Sequence, residues 1–368
     1  MNRFARISLT LCALAASFGC GDTPDLDVDE GHAGTLAQQV DAPASRPGTF
    51  KVFDRIPQFG MYAEKDPDNY QPPAGMLMWN VGTLFAAKLS DAQKAQIGSD
   101  VKARLTYHAQ CDNYDRIGNL FMVVVPKGQA PTASTPRTEL LRIITPFSSY
   151  QRGALATFTY PLVDLSTYAR TLSDPEKDAW LVIGGGSNPH ANDPCARANR
   201  PAAFRAIGYF YSLELVSTQP LTQGPSVTLT ALSNHQAKST PITATLTAPA
   251  GGLTGRVTVI VSGHGAEAGG NEYMNTRDTL TVNGQTVGSF STAVDCASLA
   301  RFSPEGNPGI FQRNTSSNPR NWCPASIVQP RTFPVTLKPG ANTVSLAINP
   351  GRVPNGSYYA TSISFSAP

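Results

Sequence analysis

Apolar and polar residues alternate along this chain mostly with a period of two, which predicts short half-buried strands rather than helices. The first predicted strand covers residues 49–56, where Phe50, Val52 and Ile56 alternate with Lys51 and Arg55. Residues 101–107 alternate in the same way. Residues 117–125 (Ile-Gly-Asn-Leu-Phe-Met-Val-Val-Val) read as the clearest buried strand. Further extended segments are predicted at 140–147, 156–161, 163–165, 180–183 and 204–216. The second half repeats the signature at 226–232, 242–247, 255–262, 278–282, 333–337, 343–348 and 358–365. A single short helix is predicted over 90–98, with Ser90 as N-cap and Gly98 as C-cap. Many short strands separated by Gly/Pro turns argue for an all-β chain of two antiparallel sandwiches, joined at the breaker-rich stretch 218–225. The expected domains are 47–217 and 226–368.

Composition sharpens this picture. With 31 glycines, 30 prolines and only 15% charged residues, the 368-residue chain has the make-up of a turn-rich exported protein. Residues 1–19 read as a signal peptide, with Arg3 and Arg6 before an apolar run from Ile7 to Ala16. Ser17-Phe18-Gly19-Cys20 is similar to a bacterial lipobox, so Cys20 is the expected lipidation site; ordinary secretory cleavage is the alternative. Residues 20–46, rich in Asp and Glu near their start, then form an acidic tether. Later runs fall short of the roughly 18 apolar residues of a membrane span, so membrane attachment is expected through the lipid alone. Removing Arg3 and Arg6 with the leader lowers the formal charge from +3 to +1. Without a dense Lys/Arg cluster among aromatics, nucleic acid is not an expected partner. No particular oligomeric state is signalled.

Four cysteines remain after Cys12 and Cys20: Cys111, Cys195, Cys296 and Cys323. An even number in an exported chain suggests disulfides, with three possible pairings. Pairing within each half, 111–195 and 296–323, is favoured over metal binding, which prefers closer spacing.

Chemistry-bearing residues concentrate in two places. Cys111-Asp112-Asn113-Tyr114-Asp115-Arg116 sets carboxylates, a phenol and a guanidinium at the mouth of a rigid apolar strand. Asp and Asn also favour turns for local hydrogen-bonding reasons, and adjacent residues of a regular strand face opposite ways. Asp115 and Arg116 therefore share a site only where the alternation is broken. In the second half, Ser262 to Tyr273 is a glycine-rich run holding His264 and Glu272, and Asn321-Trp322-Cys323-Pro324 follows a long loop. Gly184-Gly185-Gly186 lacks the spacing of a phosphate loop and is read as close backbone packing or a tight turn.

In order along the chain, these stretches resemble the peptide-N-glycosidase F family. Cys-Asp-x-x-Asp-Arg before an apolar strand is the family signature, matched at 111–116, and Thr49–Arg55 is similar to its opening strand. Leu141 to Phe147 resembles Gly-Arg-Phe-Ile-Thr-Pro-Tyr. Ser262-Gly263-His264-Gly265, Asn271-Glu272-Tyr273 and Trp322-Cys323-Pro324 match Ser-Gly-Trp-Gly-His, Ala-Glu-Trp and Trp-Cys-Pro. The resemblance implies two jelly-roll sandwiches side by side, with a cleft between them. It implies an amidase acting on the bond between an N-linked glycan and asparagine, with N-linked glycans or glycopeptides as partners and no cofactor. Asp115 matches the essential aspartate and Glu272 an important glutamate; Arg116, Tyr114, His264, Tyr273, Arg320 and Trp322 are candidate substrate-binding residues. Cys296 and Cys323 match a family disulfide. Departures include Gly185 where the family has a second glutamate, Ser187 near a cleft tryptophan, Gly270 and Met274 in place of two cysteines, and Arg320 shifted by one. These departures keep open a catalytically weak glycan-binding surface lipoprotein, or an interaction module with the sandwiches as scaffold. The copper monooxygenases that share the sandwich pair need several histidines. His32, His108, His190, His235 and His264 include no adjacent pair and no His-x-His, so no metal site is expected.

Overall fold

Nineteen strands and two short α-helices make up the described part of the computed structural model. It describes residues 46–60, 70–149, 156–189, 195, 207–224, 226–265, 270–306, 320–351, 353 and 356–368. The leader, Cys20, the acidic stretch through residue 45, and His32 and His190 lie outside the described residues; of His235 only the backbone is described.

The first half carries β1 (Thr49–Phe59), β2 (Met76–Trp79), β3 (Leu84–Lys88), β4 (Lys102–Ala109) and β5 (Ile117–Pro126). It continues with β6 (Thr138–Ile144), β7 (Thr157–Thr159), β8 (Val163–Asp164), β9 (Lys177–Gly185) and β10 (Ile207–Val216). One sheet runs β1-β10-β4-β7, with β8 also on β4. Between them and the facing sheet lie Phe53, Phe59, Phe85, Leu120, Ile183, Tyr211 and Leu213. Each large side chain buried this way stabilises the fold by roughly 1.5–3 kcal/mol relative to exposure.

The second half carries β11 (Thr228–Ala237), β12 (Ile242–Ala248), β13 (Leu253–His264), β14 (Arg277–Val282) and β15 (Gln285–Ser291). After them come β16 (Ile327–Val328), β17 (Arg331–Leu337), β18 (Gly340–Ala347) and β19 (Tyr358–Ala367). Two four-stranded sheets, β11-β19-β13-β17 and β12-β18-β14-β15, enclose a core of Val257, Val259, Leu280, Val344, Leu346 and Ile363. Every strand pair in the four sheets is antiparallel. The chain is therefore an all-β pair of sandwiches. β16 leaves the second half to pair with β6, so the other first-half sheet runs β16-β6-β5-β9-β3-β2.

Two expectations need correction. The helix predicted over 90–98 is a single turn, α1 (Asp91–Lys94), closed by Ala95 rather than Gly98. Its start is as expected: Gln93 N donates to Ser90 Oγ and Ser90 N to Gln93 Oε1, a reciprocal capping box. Lys94, in its last turn, is buried, with Nζ donating to the carbonyls of Asp174 and Lys177. The sequence pattern does not predict β2, β3, β15 or β16. β3 reads Leu-Phe-Ala-Ala-Lys, buried on both faces, and so shows no alternation.

Candidate active site

The loop between β4 and β5 holds the Asp-rich motif. Cys111 N and Asp112 N both donate to Gly208 O (2.8 and 3.0 Å), which ties the loop to the start of β10. Residue 208 must be glycine there: a Cβ would lie 2.1 Å from the Cβ of Ser187 and 3.1 Å from that of Asp112. The Cys111–Cys195 disulfide is formed as expected. Residues 111–116 are irregular, so the strand alternation that would separate Asp115 from Arg116 is absent.

Asp112, assigned no role by the sequence, organises this loop. Its buried carboxylate accepts from Arg116 Nε (2.7 Å) and Nη2 (3.2 Å), from Tyr114 N (3.1 Å) and from Asn188 N (2.6 Å). Such a bidentate charge-assisted pair fixes the guanidinium plane. Arg116 lies over the exposed Tyr114 ring at 5.1 Å. From the end of β6, Thr145 Oγ1 accepts from Arg116 N (2.7 Å) and donates to Tyr114 O (2.9 Å), so both neighbours of Asp115 are pinned. Glu305, from the second half, accepts from Asn113 Nδ2 (2.8 Å) and from Ser149 N and Oγ (3.0 Å each).

Asp115 itself is half-buried, and its Oδ2 is buried without a hydrogen-bond partner. Burial above all, and then the negative charge of Glu272, push its carboxyl well above the usual carboxylate range; Arg320 and Arg116 oppose this. Glu272 comes from the other sandwich, on a 3-10 turn (Asn271–Tyr273) beyond the end of β13. Arg320 Nη2 donates to Glu272 Oε1 at 3.0 Å. The Arg320 guanidinium lies 4.1 Å from the Trp322 ring centre and 5.1 Å from that of Tyr273. Arg320 is fully buried, and its Nε and Nη1 have no partner. Two unsatisfied donors and an unsatisfied carboxylate oxygen flanking Glu272 are groups a bound polar ligand would complete.

Asn321 builds the turn that carries Glu272. Its Nδ2 donates to Asn271 O (2.7 Å) and Met274 O (2.9 Å), and its Oδ1 accepts from Gly263 N (2.7 Å). His264 and Trp322 stand behind Arg320 instead of facing solvent. The His264 ring stacks on Trp322 (5.4 Å) and Tyr358 (5.2 Å), its Nε2 is 2.7 Å from Ser262 Oγ, and burial holds its pKa well below the usual value. Trp322 Nε1 donates to Gly263 O at 2.6 Å. The Cys296–Cys323 disulfide is present beside them. A cavity of about 540 Å³ opens along the seam, lined in part by Leu162, Val294, Trp322 and Val328. It shares Asn321 and Trp322 with this cluster but reaches neither Asp115 nor Glu272.

At position 185 a side chain would meet Tyr209 Oη at 2.7 Å and Ile117 O at 3.2 Å. The tyrosine hydroxyl fills the room a carboxylate would need. Ser187 is buried, donating to Gln58 O, and offers no aromatic surface. Asp112 and Asn321 lie within the two motifs without an expected role of their own, while Glu305 carries no local signal in the sequence.

Residues 232–365 match the family model described as peptide-N-glycosidase F, C terminal. No curated protein matches the chain. Among solved structures it is similar to PNGF-II, with 18% identity and a TM-score of 0.64 over 87% of this chain and 65% of that one. It is also similar to PNGase F, a glycosylasparaginase from Flavobacterium meningosepticum, with 14% identity and a TM-score of 0.56 over 87% and 94% of the two chains. The chain thus spans just under two thirds of the length of PNGF-II and nearly all of PNGase F, and at these identities the likeness is one of fold. The second half thus matches the C-terminal family model of peptide-N-glycosidase F, and both halves together share the fold of these solved structures.

Proposed function

We propose that the protein is an amidase that hydrolyses the bond between an N-linked glycan and asparagine. The observation that carries this reading is the meeting of Asp115 from one sandwich with Glu272 and Arg320 from the other, with buried polar atoms left unsatisfied on both sides. Amide hydrolysis needs a base for water, polarisation of the carbonyl and a proton for the departing nitrogen. Asp115, ionised, takes a proton from water as its oxygen adds to the side-chain carbonyl carbon. The C–N bond then breaks as the proton held by Asp115 passes to the departing nitrogen, giving aspartate and a glycosylamine. Arg116 and Arg320 offer positive charge to the developing oxyanion and to substrate oxygens; Glu272 orients the water or the first sugar. Tyr114 and Tyr273 supply aromatic faces for sugar rings. His264 and Trp322 support Arg320 from behind. No cofactor enters these steps.

The test is incubation of the full chain with an N-glycosylated peptide, followed by mass analysis. The linked asparagine should become aspartate with no sugar left on it. A sugar stub, or intact glycopeptide, refutes the proposal. The second reading, a weak or inactive glycan-binding relative, is favoured by Tyr209 filling the space beside Gly185. It gains if intact glycopeptide is retained by the protein. The two disulfides suit an oxidising, exported setting. Lipidation at Cys20, with an acidic tether to a first domain at 47–217 and a second at 226–368, completes the proposal; a Cys20→Ser protein that stays equally membrane-bound would refute the anchor.

A further inference from the structure

Arg142 takes no part in the chemistry above, yet it is among the largest fully buried side chains of the molecule. Its guanidinium binds groups on both sandwiches. On its own strand, β6, Nε donates to Glu139 Oε1 (2.9 Å) and Nη2 to Glu139 Oε2 (2.7 Å). Asn119 Nδ2, on β5, braces Glu139 Oε1 at 2.5 Å. Across the seam, Nη1 donates to Ser262 Oγ on β13 (3.0 Å) and to the carbonyl of Ala360 on β19 (2.6 Å). A buried ion pair is a poor source of stability once desolvation is counted, and its best-attested use is to fix one arrangement among several.

Each end of this bridge leads to one carboxylate of the proposed pair. Three residues beyond Arg142, Thr145 grips the main chain on both sides of Asp115. Ser262, at the other end, bonds His264, which stacks on Trp322; Arg320 also lies over the Trp322 ring and pairs with Glu272. β13 also fixes the Glu272 turn directly, through Gly263 and Asn321. We infer that Arg142 is a positioning residue which, by bolting β6 to β13, sets the separation between Asp115 and Glu272 across the seam. This inference rests on the amidase reading for its consequence, because that separation matters for catalysis only if the two carboxylates act together.

The titration of Asp115 reports the separation. The groups facing it are Glu272, Arg320 and Arg116, with Tyr273 also within electrostatic reach. If the bolt loosens, water reaches Asp115 and Glu272 recedes, so the carboxyl returns towards its ordinary value. Lysine at 142 keeps a positive charge by Glu139, but as a point charge it cannot hold Glu139 in a fork and reach Ser262 and Ala360 together. Ser262→Ala removes one anchor without stranding a charge.

The experiment follows the Asp115 carboxyl by carbon-13 NMR through a pH titration of the full chain, its signal assigned by its loss in Asp115→Asn. Arg142→Lys should lower the midpoint by about one pH unit or more, and Ser262→Ala should move it less, in the same direction. Leu346→Ala, in the core of the second sandwich, should lower the melting temperature and leave the midpoint in place. An unmoved midpoint in folded Arg142→Lys or in Ser262→Ala, or an equal shift in Leu346→Ala, overturns the inference. Should Arg142→Lys fail to fold, Ser262→Ala decides alone. On N-glycopeptide, the acid limb of kcat/KM should move with the midpoint. Glycopeptide left intact by the unaltered protein refutes the amidase reading, while the titration still decides the role of Arg142.

Discussion

In the proposed amidase chemistry, Asp115 would set catalysis against stability. Its carboxyl is raised by burial and by Glu272, so the folded state favours the protonated form, and stability falls as pH rises through that raised value. Asp115→Asn should therefore abolish turnover while melting no lower than the unaltered protein at neutral or alkaline pH, and higher if anything. Thermal melts at pH 5 and pH 8 check this, with the gain expected at the higher pH. For the same reason, the rate should climb with pH above the ordinary carboxylate range, because the base form appears late. Glu272→Gln should damage activity and shift that limb to lower pH, since one negative neighbour of Asp115 is gone. Asp278, far from this chemistry, gives a cleaner stability test. Both of its oxygens are buried, and burial raises its pKa to about 6, opposed by the nearby Thr276 hydroxyl, which also engages Thr292. Asp278→Asn should stabilise the protein by up to about 3 kcal/mol above pH 6 and by almost nothing below pH 4, read from denaturant midpoints at the two pH values.

Glycine positions decide how closely elements approach. β9 continues through Gly184 and Gly185, where a Cβ on Gly184 would lie 2.4 Å from Leu84 Cδ2. Close backbone packing is thus the use of that glycine pair. Gly208→Ala should push Ser187 and Asp112 apart, destabilise the fold by roughly 1–3 kcal/mol and loosen the Arg116 clamp. Urea midpoints and glycopeptide turnover should fall together; turnover unaffected by the substitution would show that the clamp is not needed. The alternating strand β4 was legible because its residues are buried and half-buried by turns. β3 was not legible, because both its faces are covered, and β15 not because its residues are largely exposed or half-exposed. The Asp115 loop and the Glu272 turn were legible from motif order. What holds them was not: Glu305 reaches Asn113 across 192 residues and Arg142 reaches Ala360 across 218. Contacts of that range leave no local pattern.

The two sandwiches meet through particular bonds as well as apolar surface. Ile144, Ile260, Trp322 and Val328 form a small buried cluster from both halves, β16 completes a sheet of the first sandwich, and Glu305 and Arg142 cross the seam. The Cys296–Cys323 disulfide closes the segment that carries both Glu305 and Arg320, with a sequence separation of 27. Replacing both cysteines by serine should cost about 3 kcal/mol of stability by loop-closure entropy, measured by denaturant unfolding. It should lower turnover as well, since both seam contacts share that loop. The most direct measurement of the amidase chemistry uses N-glycopeptide in heavy-oxygen water, comparing the unaltered chain with Asp115→Asn. One heavy oxygen in the new aspartate carboxyl, released glycosylamine and no product from Asp115→Asn are the expected results. A sugar left on asparagine, or equal turnover by Asp115→Asn, would contradict hydrolysis at the amide by water activated at Asp115.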